Sequence, residues 1–295
     1  MKYDIIKKIF CFKNKEITMK YQRILTIQDI SCVGQCSMTV ALPIISACGQ
    51  ETCILPSAVL STHTMGYSFP NIRDLTPDFP GFQAHWQKEN ISFDAIYTGY
   101  LGSTEQIDYV ENIFDTMTRD GGKIIVDPAM ADNGKLYPAF DQAYVDAMVR
   151  LVSKADVVLP NLTEACFLTG TEYRESYDST FVMAVVEKLH KLGAKCVVLT
   201  GIGYDEGMTG VLISGENCVD HYQHARLSQS FHGTGDVYAS AFVGSWIGGK
   251  SMGEAARIAA DYVCQCIRNT IGDDSHWYGV KFETAIPYLV GRLYN

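Results

Sequence analysis

From Tyr21 onward, short apolar runs alternate with longer stretches whose apolar residues recur every three or four positions, the spacing of one helix face. "RILTIQ" (23–28) predicts a buried strand, and "CSMTVALPIISACG" (36–49) a helix interrupted by Pro43 and closed by Gly49. "ETCILPS" (51–57) reads as a strand. The stretch from there to Gly81 carries too many Pro, Gly and Ser residues for a long regular element. "FDAIYTGYLGS" (93–103) predicts a strand emptying into a glycine turn, followed by a helix over 104–118. "GGKIIVDP" (121–128) predicts a strand that ends in an acid and a proline. A helix over 141–154, the strand "DVVLP" (156–160), helices over 161–170 and 177–193, and the strand "AKCVVLTG" (194–201) follow. Two edge-type strands, 208–213 and 218–223, flank the turn "SGEN". Helices over 235–248 and 251–269 dominate the rest.

Alternation of this kind predicts an α/β fold: a mostly parallel sheet with helices on both faces. No internal repeat or long linker divides the chain, so residues 21–295 are expected to form one domain. In an open parallel sheet, ligands bind beyond the carboxyl ends of the strands. The residues that fall there are Asp29, Gly99 and Tyr100, Asp127, Asn161 and Glu164, and Thr200 and Gly201. Polar residues end strands for ordinary reasons of capping and turning; the accumulation of acids is less ordinary.

Composition narrows the function. With 47% hydrophobic and 19% charged residues the chain is globular. A net charge of −9 makes it a poor binder of nucleic acid through phosphate neutralisation. No run approaches the roughly twenty apolar residues of a membrane span. Ten cysteines include no Cys-x-x-Cys pair and no secretory signal precedes them, which predicts reduced, mostly buried thiols in a cytoplasmic protein. Residues 1–20 carry six lysines against Asp4 and Glu16. They read as a basic extension outside the core, with Met19 as an alternative start; a membrane-surface helix or a targeting peptide are the other readings.

"SFHGTGDVYASAFVGS" (230–245) places Asp236 after Gly233-Thr234-Gly235 and ahead of a small-residue helix. Glycines there let successive N–H groups converge into an anion-binding nest, and the helix dipole adds to it. An acid beside such a nest would repel a bound phosphate, so it makes sense as a base. It would take the proton of a hydroxyl that attacks a phosphoryl group held by the amides. "NLTEA" has the form of a capping box from Asn161 to Glu164, and the same carboxylate suits Mg²⁺ beside a nucleotide phosphate. Gly-x-x-x-x-Gly-Lys-Ser/Thr is missing, which argues against a P-loop enzyme.

"GTGD" (233–236), "PNLTEA" (160–165) and "DPAMADNGKLY" (127–137) together resemble the ribokinase-like superfamily of three-layer αβα kinases. "ILTIQDISCVG" (24–34), "LSTHTMGY" (60–67) and "YTGYLGS" (97–103) resemble its pyridoxal (vitamin B6) kinase branch, over roughly residues 23–270. The resemblance implies an ATP- and Mg²⁺-dependent kinase acting on the 5′-hydroxymethyl group of a vitamer, and leaves open a monovalent cation such as K⁺. It implies Asp236 as base and Gly233, Thr234 and Gly235 as the anion hole. Asn161, Glu164 and Asp127 would organise Mg²⁺ and the phosphates, under a loop that carries Asp132. Thr200 and Gly201 would meet the nucleotide, and His63, Thr64 and Tyr100 the pyridine ring. It also implies a homodimer, formed through the segment after the second strand.

Three positions depart from the family pattern. Asp29 stands where B6 kinases commonly have serine, which would favour a protonated ring nitrogen or an amine, as in pyridoxamine or pyridoxine. His232 replaces a small apolar residue ahead of the anion hole, and Ala131 a glycine in the covering loop. Cys36, with Cys32, lies at the acceptor end, where buried inert thiols are expected. The alternatives are the same chemistry on hydroxymethylpyrimidine or a sugar, and a non-catalytic vitamin- or nucleotide-binding protein.

Overall fold

The structure, a computed structural model, describes residues 19–215 and 218–294. Nine strands form one sheet in the order β11-β10-β9-β8-β5-β4-β1-β2-β3. Its centre is β1 (Arg23–Ser31), β2 (Glu51–Leu60), β4 (Phe93–Thr98), β5 (Thr118–Val126), β8 (Val157–Val158) and β9 (Cys196–Thr200), all mutually parallel. The margins are antiparallel: β3 (Ile72–Asp74) on β2, and β10 (Met208–Gly215) with β11 (Cys218–Ala225) beyond β9. A separate small hairpin joins β6 (Ala131–Asp132) to β7 (Lys135–Leu136).

Alternation along the strands sorts the core into two layers. Leu25, Ile27, Ile96, Val126, Val158, Val197 and Leu199 face one side. That side is covered by α2 (Phe79–Lys88), α3 (Thr104–Met117), α4 (Gln142–Ser153), α5 (Leu162–Leu168) and α6 (Ser179–Lys191). Ile24, Ala95, Tyr97, Ile125, Val157 and Val198 face the other, under α1 (Met38–Ala47), α7 (Thr234–Ile247), α8 (Met252–Thr270) and α9 (Ile286–Tyr294). The expected αβα sandwich with a mostly parallel sheet is what the chain forms.

Helix α7 is buried along its length from Val237 to Ser245. Its small residues allow close approach: a Cβ on Gly244 would lie 2.7 Å from the Cys48 Sγ on α1. This contact seats the C-terminal end of α7 on the residue that caps the C-terminus of α1, while at the head of α7 Gly233 packs on the Gln35 carbonyl just ahead of α1. Chain order reverses at β1, which sends the chain to β2 on one side while β4 pairs on the other. The crevice beyond β1 and β4 is the switch point where such sheets bind ligands.

Several elements differ from expectation. Helix α2 occupies the end of the stretch read as turn-rich, and α9 lies beyond the last expected helix. Strand β2 continues through Pro56 to Leu60, and Pro43 sits inside a continuous α1 rather than interrupting it. Residues 1–18 of the basic extension lie outside the described residues, as does part of the "SGEN" turn. Met19 packs against the core and the Lys20 N–H donates to the Gly248 carbonyl at 3.1 Å. No helix among the described residues is long and apolar enough to cross a membrane.

Candidate active site

Asp29 is the seventh residue of β1, at a register shift between Gln28 and Ile30. An irregularity of that kind re-aims a side chain at a strand end. The carboxylate is buried, 5% exposed, and its Oδ2 accepts from the Ser31 hydroxyl at 3.0 Å. Burial raises its pKa; the Ser37 and Ser31 hydroxyls and the nearby His63 pull it down. Tyr100 stands at the end of β4 with its ring 5.4 Å from that of Phe140; burial and then Asp29 raise its pKa.

Asp236 follows Gly233, the N-cap of α7, which adopts the left-handed φ of 77°. A Cβ on Gly233 would collide with the Gln35 carbonyl oxygen, so both backbone angle and packing demand glycine. Gly235 differs: a Cβ there meets nothing within 4 Å, and it points into the open crevice. The first-turn amides of a helix lack intrahelical partners, and no side chain caps those of α7. Of the two glycines expected to shape the nest, Gly233 makes the turn and Gly235 keeps the space ahead of the amides clear. Burial lifts the Asp236 pKa to about 6; the Ser37 N–H holds it down and the charge of Asp29 raises it.

Asp127 directly follows β5 and is buried; burial, then Glu164 and Asp236, raise its pKa well above the usual range. The expected capping box is present. The Asn161 Oδ1 accepts from the Glu164 N–H at 2.9 Å, while the Glu164 Oε2 accepts from the Asn161 N–H at 2.8 Å. Glu164 also accepts from the Met130 N–H through Oε1 at 3.2 Å, and the Asn161 Nδ2 donates to the Ala131 carbonyl. Burial pushes the Glu164 pKa up to about 8 against those N–H bonds. Asn161 and Glu164 thus tie the phosphate-side helix to the β6–β7 hairpin. Asp132, on that hairpin, accepts from the Asn133 N–H and side-chain amide. Thr200 lies beside Asn161 in a parallel bridge and its N–H donates to the Pro160 carbonyl, with Gly201 at φ 74° beyond it.

The residues expected around the ring are held as follows. His63 was expected to meet the ring, yet its Nε2 donates to the Tyr278 carbonyl at 2.8 Å while its Nδ1 accepts from the Met65 N–H. Both nitrogens are spent on the main chain, so only its ring face remains for a ligand. Thr64 is exposed. His232 is at the rim, its ring 6.3 Å from that of His63. Burial and His63 lower its pKa, and Asp132 raises it. The expectation of buried thiols at this end needs correcting: Cys32 is exposed and Cys36 only half-buried, although burial, Asp236 and Asp29 all drive the Cys36 pKa up. Cys48, Cys166, Cys264 and Cys266 are buried free thiols as well.

Sequence reasoning overlooked two residues. Tyr137, inside the quoted "DPAMADNGKLY", is half-buried among Glu164, Asp236, Asp132 and Asp127, whose charges add to burial in raising its pKa. Only the motif's last letter hinted at it. Ser37, which holds down the pKa of both Asp29 and Asp236, was marked by no sequence signal.

Asp127 and Glu164 are both buried, and the charge of Glu164 raises the Asp127 pKa; such a pair suits a divalent cation. Among the described residues no three His, Cys, Asp or Glu side chains converge tightly enough to hold a metal unaided. That fits Mg²⁺, which keeps several waters and shares its shell with substrate phosphates.

Residues 42–279 match the phosphomethylpyrimidine kinase family. A Bacteroides thetaiotaomicron protein assigned to the phosphomethylpyrimidine kinases, crystallised with pyridoxal, is 34% identical. The match covers 92% of this chain and 96% of that one, with a TM-score of 0.86. The pyridoxal kinase of Lactobacillus plantarum is 30% identical over 92% of this chain and 98% of its own, with a TM-score of 0.85. The hydroxymethylpyrimidine/phosphomethylpyrimidine kinase of Bacillus subtilis is 27% identical, covering 73% of this chain and 78% of that protein. With these residues on this fold, the chain belongs to the phosphomethylpyrimidine kinase family, an ATP-dependent phosphotransferase of the ribokinase-like type.

Proposed function

We propose that the chain transfers the γ-phosphoryl group of ATP to the 5′-hydroxymethyl group of a vitamin B6 vitamer. The observation that carries this reading is the head of α7, where uncapped first-turn amides and the Asp236 carboxylate open on the crevice beyond β1 and β4. Asp236 takes the hydroxyl proton, the alkoxide oxygen bonds to the γ-phosphorus, and the bond to the bridging oxygen of ADP breaks. The amides of Thr234, Gly235 and Asp236 face the charge that grows on the phosphoryl oxygens. Asp127 and Glu164 hold Mg²⁺ directly or through water, with Asn161 fixing Glu164. When bound, the cation supplies positive charge over the ATP phosphates. Asp132 covers them from the hairpin, and Thr200 and Gly201 flank the nucleotide at the end of β9. Asp29, Tyr100 and the face of His63 line the vitamer side.

A second reading keeps the same chemistry on hydroxymethylpyrimidine. It is favoured by the likeness to the Bacillus subtilis enzyme and by Asp29, whose carboxylate suits an exocyclic amine as well as a pyridinium N–H. Residues 19–294 act as one kinase domain in either case. A homodimer would cover the loop after β2, where Phe69 is 99% exposed beside Ile72. A coupled assay of ADP release with pyridoxal, pyridoxine, pyridoxamine, hydroxymethylpyrimidine and ribose decides among acceptors. The B6 reading expects pyridine vitamers to have the highest kcat/KM; hydroxymethylpyrimidine in first place would replace it.

A further inference from the structure

The loop that leaves β2 is closed at its base, where the Ser61 N–H donates to the Asn71 carbonyl at 2.9 Å. It carries His63, so it borders the acceptor side of the crevice. Its anchorage comes from a segment more distant in the chain. Beyond α8 the chain makes a short 3-10 turn, Asp274–His276, and then lays Trp277 and Tyr278 along the loop. The Tyr278 carbonyl accepts from the His63 Nε2 at 2.8 Å. The Tyr67 ring lies 4.7 Å from that of Trp277 and, edge-on, 5.1 Å from that of His63, spacings at which aromatic pairs attract. Gly66 adopts a left-handed φ of 82°, and a Cβ there would lie 2.7 Å from the Trp277 Cζ3. Backbone angle and packing both demand glycine against the indole.

The same segment also holds the loop after β1. A Cβ on Gly279 would lie 2.5 Å from the Gln35 Cβ, and the Gln35 Nε2 donates to the Glu283 Oε1 at 3.0 Å. Residues 277–283 therefore bridge the two loops that border the acceptor side. The segment is itself fixed: the Lys281 N–H donates to the Thr270 Oγ1 at 2.9 Å, and the His276 Nδ1 to the Gly279 carbonyl at 2.8 Å. We propose that this segment is a strap on the acceptor loop and that Trp277 is a positioning residue for acceptor binding, acting through Tyr67 and His63. The inference rests on the kinase reading above in one respect, that the loop faces the acceptor; the strap itself is a matter of contacts. A loop anchored in advance loses less freedom when a ligand binds. The strap therefore acts on acceptor affinity more than on phosphoryl transfer.

Trp277→Ala removes the indole and leaves the contacts of Gly279 and Glu283 with Gln35. Acceptor KM and calorimetric Kd, read with pyridoxine and hydroxymethylpyrimidine, are expected to rise about tenfold, with kcat lowered less than about threefold and the ATP Kd within about twofold. Trp277→Phe keeps a ring for Gly66 and Tyr67 and is expected to recover most of the acceptor affinity. Tyr67→Ala is expected to weaken acceptor binding in the wild type but add little in the Trp277→Ala background, because both act through one contact. Hydrogen exchange of the amides of residues 62–69 is expected to quicken about tenfold in Trp277→Ala. An alanine variant whose acceptor Kd stays within about twofold of wild type, or whose ATP Kd rises as much as its acceptor Kd, overturns the positioning role. Unchanged exchange overturns the strap. Trp277 is 45% exposed; should its alanine variant nonetheless fail to fold, Tyr67→Leu, which keeps apolar bulk and removes the ring, reads the same two effects. An inert wild type refutes the kinase reading alone, since exchange needs no turnover and still decides whether Trp277 holds the loop.

Discussion

The carboxylate of Asp29, at the end of β1, pushes on that of Asp236, at the head of α7, and raises its affinity for a proton. One carboxylate would hold the acceptor and the other would deprotonate it, so the site's two tasks are electrostatically linked across the switch point. Burial makes the link strong, because charges shielded from water interact over longer distances.

The pH dependence of acceptor turnover follows. A base is active when deprotonated, so kcat/KM is expected to rise with pH through an acid limb near pH 6, the value to which burial lifts Asp236. Asp29→Asn removes the charge that raises Asp236, so the limb moves to lower pH. A profile of kcat/KM from pH 4.5 to 8.5 on both proteins measures it. A limb that moves upward in the Asn variant contradicts the coupling.

Loss of the base has a separate signature. Asp236→Asn keeps size and removes proton acceptance, and kcat is expected to fall by at least about 10²-fold. The nucleotide is held by other elements, so ATP binding by calorimetry stays close to wild type. Near-normal turnover in this variant removes Asp236 from the mechanism.

Much of this was legible in the sequence, for identifiable reasons. Buried parallel strands are runs of Val, Ile and Leu, and the acids that end them sit next to those runs in the chain, so Asp29 and Asp127 were found together; Asp236 stood out by the glycines ahead of its small-residue helix. Helix α2 was hidden because its first turn contains Pro80 and Gly81, residues that punctuate loops yet are tolerated where helix amides have no partners anyway. The bonds that hold His63 were not legible around it in the chain, because its ring nitrogen donates to the Tyr278 carbonyl over two hundred residues away. Ser37 was invisible for a related reason: its positive φ is set by the fold, and serine is common at helix starts.

The two glycines of "GTGD" are expected to respond differently to one methyl group. Gly233→Ala must distort either its left-handed turn or the Gln35 carbonyl, costing about 1–3 kcal/mol of stability. Gly235→Ala meets open space and is expected to leave the thermal transition within a few degrees of wild type, since alanine suits a helix better than glycine. Its methyl group would stand ahead of the anion-binding amides, so kcat falls by about tenfold or more. Calorimetric melting and steady-state kinetics on the pair test this; equal effects on Tm would refute the assigned division of labour.

Glu164 ties stability to the metal. Its pKa is raised by burial from an ordinary 4.5 to about 8, so the folded protein binds this proton more tightly than the unfolded chain. The resulting stabilisation is complete below about pH 4.5 and is lost as pH rises through about 8. Asp127 and Asp236 shift in the same direction. The metal-free protein is therefore expected to melt at progressively lower temperature from pH 5 to pH 8.5, and Mg²⁺ with nucleotide to restore Tm most at the alkaline end. Glu164→Gln removes one buried charge but sets an amide NH₂ against the Asn161 or Met130 N–H, weakening the capping box by about 1 kcal/mol. Its Tm should depend less on pH, while the Mg²⁺ concentration for half-maximal velocity rises about 10- to 100-fold, as when a metal-site carboxylate or its support is removed. Scanning calorimetry across pH and a Mg²⁺ titration of initial rates read the two effects separately. A variant whose Tm falls with pH as steeply as wild type, with an unchanged Mg²⁺ requirement, would leave Glu164 as a helix cap and nothing more.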